Sequence, residues 1–104
     1  MNEREVSKKW VAAHLRLHPQ DYFLRLHDCP WGAKLFDAVI FCGKTAIALE
    51  FKVDRRKSWR YTLKELPPHQ KRELALFSNG TTRRSKVVVY HVETRAWFEM
   101  EVTS

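Results

Sequence analysis

Three patterns in this 104-residue sequence predict an α/β fold, one mixed β-sheet flanked by helices in the order α-β-β-β-α-β-β. Apolar residues near the start recur at helical spacing: Val6, Trp10, Ala13 and Leu17. Between Phe36 and Lys52 two apolar runs are split by Gly43-Lys44. That is the mark of a β-hairpin, and a two-residue loop with glycine first suits a type II′ turn. Pro67-Pro68 then opens a second helical stretch, and the unbroken run Val87 to Tyr90 reads as a buried central strand.

The first helix is predicted from residue 3 to about residue 17, with Asn2 as N-cap and Glu5 three residues later completing a capping box. At 100° per residue Glu3 falls beside the apolar stripe and turns toward the core side. Charge–dipole stabilisation of the helix start is an equal alternative for it. The segment His18 to Asp21 breaks this helix, Asp21 to His27 reads as a strand, and Cys29 to Gly32 as a turn. After the hairpin comes a polar, basic connection from Asp54 to about Leu66. The second helix runs from Pro68 to Phe77 and stops at Asn79-Gly80, a C-terminal signal. Ser85 to Glu93 is a strand. Ala96 to Val102 alternates Phe98, Met100 and Val102 with Glu99 and Glu101, as an edge strand does.

Length, with 44% apolar and 12% aromatic residues, implies a single folded domain over residues 1–104. A net charge of +7 and a pI near 9.7 favour polyanionic partners, nucleic acid before an acidic membrane surface. No apolar run reaches bilayer length and no signal-peptide pattern opens the chain, so a cytoplasmic protein with reduced cysteines is expected. Cys29 with His27, or Cys42 alone, offers too few donors, and structural zinc is not expected.

The hairpin carries the chemistry. With Gly43-Lys44 as the loop, Cys42 pairs with Thr45, and continuing the ladder sets Asp37 opposite Glu50. Side chains alternate along a strand, so Lys52 shares that face. Directly opposed Cβ atoms stand about 5 Å apart, where two like charges repel. Two facing carboxylates call for an oxygen-loving cation, Mg²⁺ or Mn²⁺, and Lys52 adds a positive charge for a developing oxyanion. An ordinary exposed ion pair is the competing reading. The apolar character of both strand faces speaks against it. On the second helix Gln70, Leu74 and Phe77 fall on one stripe, which turns the Gln70 amide toward the sheet. Arg55, Arg56, Lys57, Trp59, Arg60, Lys71 and Arg72 interleave basic and aromatic residues near these positions, a mixture suited to phosphate contacts and base stacking. Arg83, Arg84 and Lys86 are expected to flank the same site. Lys8 and Lys9 read as a solvated face.

An acidic residue beginning one strand, Glu50-x-Lys52 on the next, a glutamate-bearing first helix and this element order resemble the PD-(D/E)xK nucleases. Phe36-Asp37, the thirteen-residue step to Glu50, and Pro68-His69-Gln70 resemble the RecU-type Holliday-junction resolvases, while Glu3 to Val6 is similar to the start of the archaeal Hjc-type. The resemblance implies a restriction-endonuclease-like αβββαβ core. It further implies Asp37, Glu50 and the carbonyl of Phe51 as metal ligands, Lys52 as catalytic lysine, and Gln70 and Glu3 as further site residues. The activity implied is Mg²⁺-dependent cleavage of four-way or other branched DNA by a C2 homodimer, since a junction is cut at two equivalent places. Trp31, Trp97 and Phe98 are the candidate dimer surface. A VRR-NUC-type or phage repair nuclease acting on flaps or single strands, and a non-catalytic DNA-binding module, are the alternatives.

Overall fold

In the computed structural model, which describes residues 1–28, 32, 34–57 and 61–103, the elements follow the predicted order. They are α1 (Glu3–Leu17), β1 (Tyr22–Arg25), β2 (Ala38–Cys42), β3 (Thr45–Asp54), a short 3₁₀ turn (Leu63–Glu65), α2 (Pro68–Phe77), β4 (Arg83–His91) and β5 (Ala96–Glu101). The five strands form one sheet in chain order. All neighbours are antiparallel except β3 and β4, which α2 joins as a parallel pair. No helix is long and apolar enough to cross a membrane.

Local rules account for most boundaries. The Glu5 amide donates to Asn2 Oδ1 at 2.9 Å, so Asn2 caps α1 as expected. Gly43 takes φ +61°, the left-handed value that the first position of a type II′ turn requires. Pro68 starts α2, and Gly80, at φ +98°, turns the chain into β4. β1 is shorter than the predicted 21–27 strand, and the predicted 85–93 strand begins and ends two residues earlier, at Arg83 and His91. The predicted turn at Cys29 to Trp31 lies outside the described residues.

The sheet is buried on both sides. On one face α1 covers Ala38, Ile40, Leu49, Phe51 and Val88 with Val6 and Trp10. On the other, α2 packs Leu74 against Val39, Ala48, Val87 and Val89. The C-terminal half of the predicted α1 stripe is overturned: Ala13 is exposed and Leu17 is 77% exposed. His14 occupies the inward position of the last turns instead, its ring stacked on Trp10 at 5.0 Å.

Candidate active site

The hairpin register places the acidic pair. Cys42 faces Thr45 and Ala38 faces Leu49, so the ladder ends one residue short of Asp37, whose side chain reaches Glu50 from the bend before β2. Asp37 lies just before β2, yet its backbone is held as firmly as a strand residue. Its N–H donates to Leu49 O at 3.0 Å, and its own carbonyl accepts from the Leu26 amide at 2.9 Å. By alternation Glu50 and Lys52 lie on the same side of β3 as Ala48, which belongs to the α2-side core, and Asp37 meets Glu50 from the bend.

Both carboxyls are buried, Asp37 at 8% exposure and Glu50 at 3%, within hydrogen-bonding reach of each other. Burial, reinforced by Asp37, pushes Glu50 up to about 8. Burial works against Asp37 as well. A proton donated by Glu50, the Phe51 amide (2.8 Å to Oδ2) and the Lys34 ammonium (2.9 Å to Oδ1) outweigh it and hold Asp37 below the usual carboxylate range. One proton shared by two facing acids is the arrangement a divalent cation replaces.

The neighbours complete the floor. A residue's N–H and C=O point to the same side of its strand, so the Phe51 carbonyl is on the side of its amide, which donates to Asp37 beyond the end of β2. Lys52 enters no salt bridge among the described residues and bears on Glu50 through its charge. Gln70 is positioned by α2, which runs antiparallel to β3 and β4. Leu74 is level with Ser85, whose hydroxyl donates to the Leu74 carbonyl at 2.6 Å, and Ser85 pairs with Ala48. One turn earlier, about 6 Å along the helix, Gln70 reaches the level of Val87 and its partner Glu50, about 6.6 Å along the strands. Its Oε1 is buried without a hydrogen-bond partner.

A cleft of about 420 Å³ opens at this end of the sheet, lined by Glu3, Arg4, Ser7, Lys8, Arg25, Lys34 and Asp37 among others. Glu3 is exposed yet borders the cavity beside Asp37. Its charge and that of Glu50 also act on Tyr61, whose hydroxyl is pushed up to about 12 by burial, then by Glu65 and these two acids. Lys34, Tyr61 and the rim formed by Arg4, Lys8 and Arg25 escape the sequence reading. The Lys34 amide donates to Asp28 Oδ1 at 2.9 Å, which anchors the backbone from which Lys34 reaches Asp37.

The basic residues divide. Lys57, Lys71 and Arg72 are exposed, and Trp59 and Arg60 lie outside the described residues. Arg55 donates to the Met1 carbonyl at 2.6 Å. Arg56 is bound to Asp54 at 2.9 Å and Glu65 at 2.6 Å, so it holds the connection after β3. Arg83, Arg84 and Lys86 do not flank the site as expected. They start β4 opposite the hairpin turn, where Arg84 pairs with Glu101 and Lys86 with Glu99 on the α1 face. Lys8, read as solvated surface, is exposed and also borders the cleft.

Two buried carboxyls in contact and a lysine on a mixed sheet, with a glutamate-bearing helix bordering the same cleft, resemble the PD-(D/E)xK nuclease class. Among solved structures, this chain is similar to Archaeoglobus fulgidus Hjc, a Holliday junction resolvase from an archaeal hyperthermophile. The TM-score is 0.60 at 22% identity, over 91% of this chain and 74% of that one, and the likeness is one of fold. No protein-family model and no curated protein sequence matches this chain.

Proposed function

We propose that this chain is a metal-dependent, structure-selective DNA endonuclease that hydrolyses phosphodiester bonds in four-way or other branched DNA. The observation that carries this reading is the buried Asp37–Glu50 pair, one acid held low and the other raised to about 8, with Asp37 opening onto a cleft edged by Arg4, Lys8, Arg25 and Lys34. Perturbed carboxyls that face each other in a basic cleft mark functional sites more often than structural ones.

The donor set fits a hard divalent cation. Asp37, Glu50 and the Phe51 carbonyl would hold Mg²⁺ or Mn²⁺, and the partnerless Gln70 Oε1 offers one more oxygen to a coordinated or bridging water. When bound, the ion supplies Lewis-acid polarisation of the phosphate and an acidified water. The residues do the rest. Lys52 brings its ammonium beside Glu50, where it orients the nucleophile and stabilises negative charge in the transition state. Glu3, at the mouth, accepts a hydrogen bond from incoming water. Lys34 moves from Asp37 to the DNA backbone as the acid pair is neutralised, and Arg4, Lys8 and Arg25 meet neighbouring phosphates.

Cutting a junction symmetrically takes two such sites, so we infer a C2 homodimer. The test is a panel of four-way junction, flap, duplex and single-stranded DNA incubated in Mg²⁺ with the wild type and Asp37→Asn. Preferred incision of the junction, lost in the variant, supports the proposal. Preferred flap or single-strand cleavage moves it to a repair nuclease on the same fold, and binding without metal-dependent incision leaves a DNA-binding module.

A further inference from the structure

We propose that His14, Asp21 and Cys42 form a second metal site, selective for a borderline-soft divalent transition ion such as Zn²⁺ and separate from the candidate active site. His14 Nε2, an Asp21 carboxylate oxygen and Cys42 Sγ all lie within 4.8 Å of one another. The topology brings them together from three elements. His14 is in the last turn of α1. The Asp21 amide closes a turn onto the His18 carbonyl at 3.1 Å, bringing Asp21 back beside the helix end. The β1–β2 register pairs Tyr22 with Phe41, so one step outward Asp21 stands opposite Cys42, both turned to the α1 face.

Asp21 supplies the reason for an ion. Its side chain is only 6% exposed, and its partners are His14 Nε2 at 2.8 Å and the Cys42 thiol. The residue as a whole is half-buried, and its carboxylate, facing an imidazole and a thiol, completes a set of three donors for one cation. Nitrogen, sulfur and carboxylate donors select Zn²⁺-like ions over Mg²⁺. Tetrahedral ligands about 2.1 Å from zinc stand about 3.4 Å apart, so the His14–Asp21 contact would open by about half an ångström. His18, its ring centroid 4.8 Å from that of His14, is a candidate fourth donor, with water as the alternative. The sequence reading passed over the spacing that places two imidazoles one turn apart, His14 and His18. Asp37 and Cys42 are five residues apart on one extended segment, about 17 Å, so the two sites do not share ligands.

Cobalt substitution in the full chain tests the site independently of catalysis. The wild type titrated with Co²⁺ should develop a thiolate-to-cobalt charge-transfer band with visible bands of tetrahedral intensity, and Zn²⁺ should displace them. Cys42→Ser should lose the charge-transfer band, and His14→Ala the tetrahedral bands. Asp37→Asn and Cys29→Ser should keep both. Zn²⁺ should also raise the melting temperature of the wild type but not of Cys42→Ser, whose own cooperative melt shows that loss of the band is not loss of the fold. The proposal is overturned if the wild type gives no charge-transfer band, if the band survives in Cys42→Ser, or if it disappears in Cys29→Ser or Asp37→Asn.

Discussion

Glu50 and Asp37 respond to pH in opposite senses. Glu50 keeps its proton in the fold to about 8, whereas in the unfolded chain it loses it near its ordinary value of 4.5. Unfolding therefore releases a proton between those limits, and the metal-free protein loses stability as pH rises from about 4.5 to about 8. Asp37 is depressed, so its contribution is present above its ordinary 3.8 and lost as pH falls below it. In chelator, the wild type should melt progressively lower across that rise in pH, and Glu50→Gln should flatten the trend. A wild-type slope unchanged by the substitution would contradict the pairing. Gln70 makes a second prediction. Replacing it by Met removes a buried carbonyl without a partner, so the metal-free fold should hold its stability or gain about 1 kcal/mol, while DNA cleavage falls by about tenfold or more. Paired melting and single-turnover assays check both halves. At this scale the ladder from Cys42–Thr45 to Ala38–Leu49 was legible because one glycine-first turn fixes every pair above it. Lys34 was not, since its position is set by a backbone bond to the Asp28 side chain outside any helix or strand, and no periodicity encodes that.

The elements explain why the site sits where it does. β3 is long and central, and β2 is half its length, leaving the Phe51 amide for a side chain instead of a strand. α2 must lie at one height for Gln70 to stand over Glu50, and the buried Ser85 hydroxyl fixes that height at Leu74. Ser85→Ala should cost about 1–2 kcal/mol, read by urea denaturation, and should weaken cleavage more than Ser85→Thr does. Strand order and both helices were readable from proline, glycine and apolar spacing. The outward turn of Ala13 and Leu17 was not. A stripe drawn from apolar residues alone gave the inward position to them, when His14 holds it through Trp10 and Asp21.

Across the whole molecule the surplus of positive charge is unevenly used. Arg56, Arg84 and Lys86 are tied to acidic partners, whereas Arg4, Lys8 and Arg25 border the cleft. Removing Arg4 and Lys8 together should weaken binding to branched DNA and lower the salt-dependence slope by about 0.9 for each phosphate no longer neutralised. Arg56→Ala should destabilise the fold and leave that slope unchanged. Fluorescence anisotropy over a salt series separates the two. Of the residues expected at the proposed homodimer surface, Trp97 stays 39% exposed while its ring rests on Tyr90 at 4.9 Å, Phe98 packs against the α2-side core, and Trp31 lies outside the described residues. Tyr22, Leu24 and Phe41 are exposed together on β1 and β2 and form a second apolar patch available to that surface. Charge and fold class were legible from composition and pattern; this division of labour among arginines was not, because ion pairing across strands depends on register far along the chain.

Everything functional rests on two opposed acids accepting a divalent ion where they now share a proton. Calorimetric titration of the wild type with Mn²⁺ at pH 7, in buffers of differing ionisation heat, measures this directly. The account predicts binding that releases nearly one proton and is abolished in Asp37→Asn and Glu50→Gln but kept in Cys42→Ser. Mn²⁺ binding of equal strength in the two acid variants, or with no proton released, would contradict it.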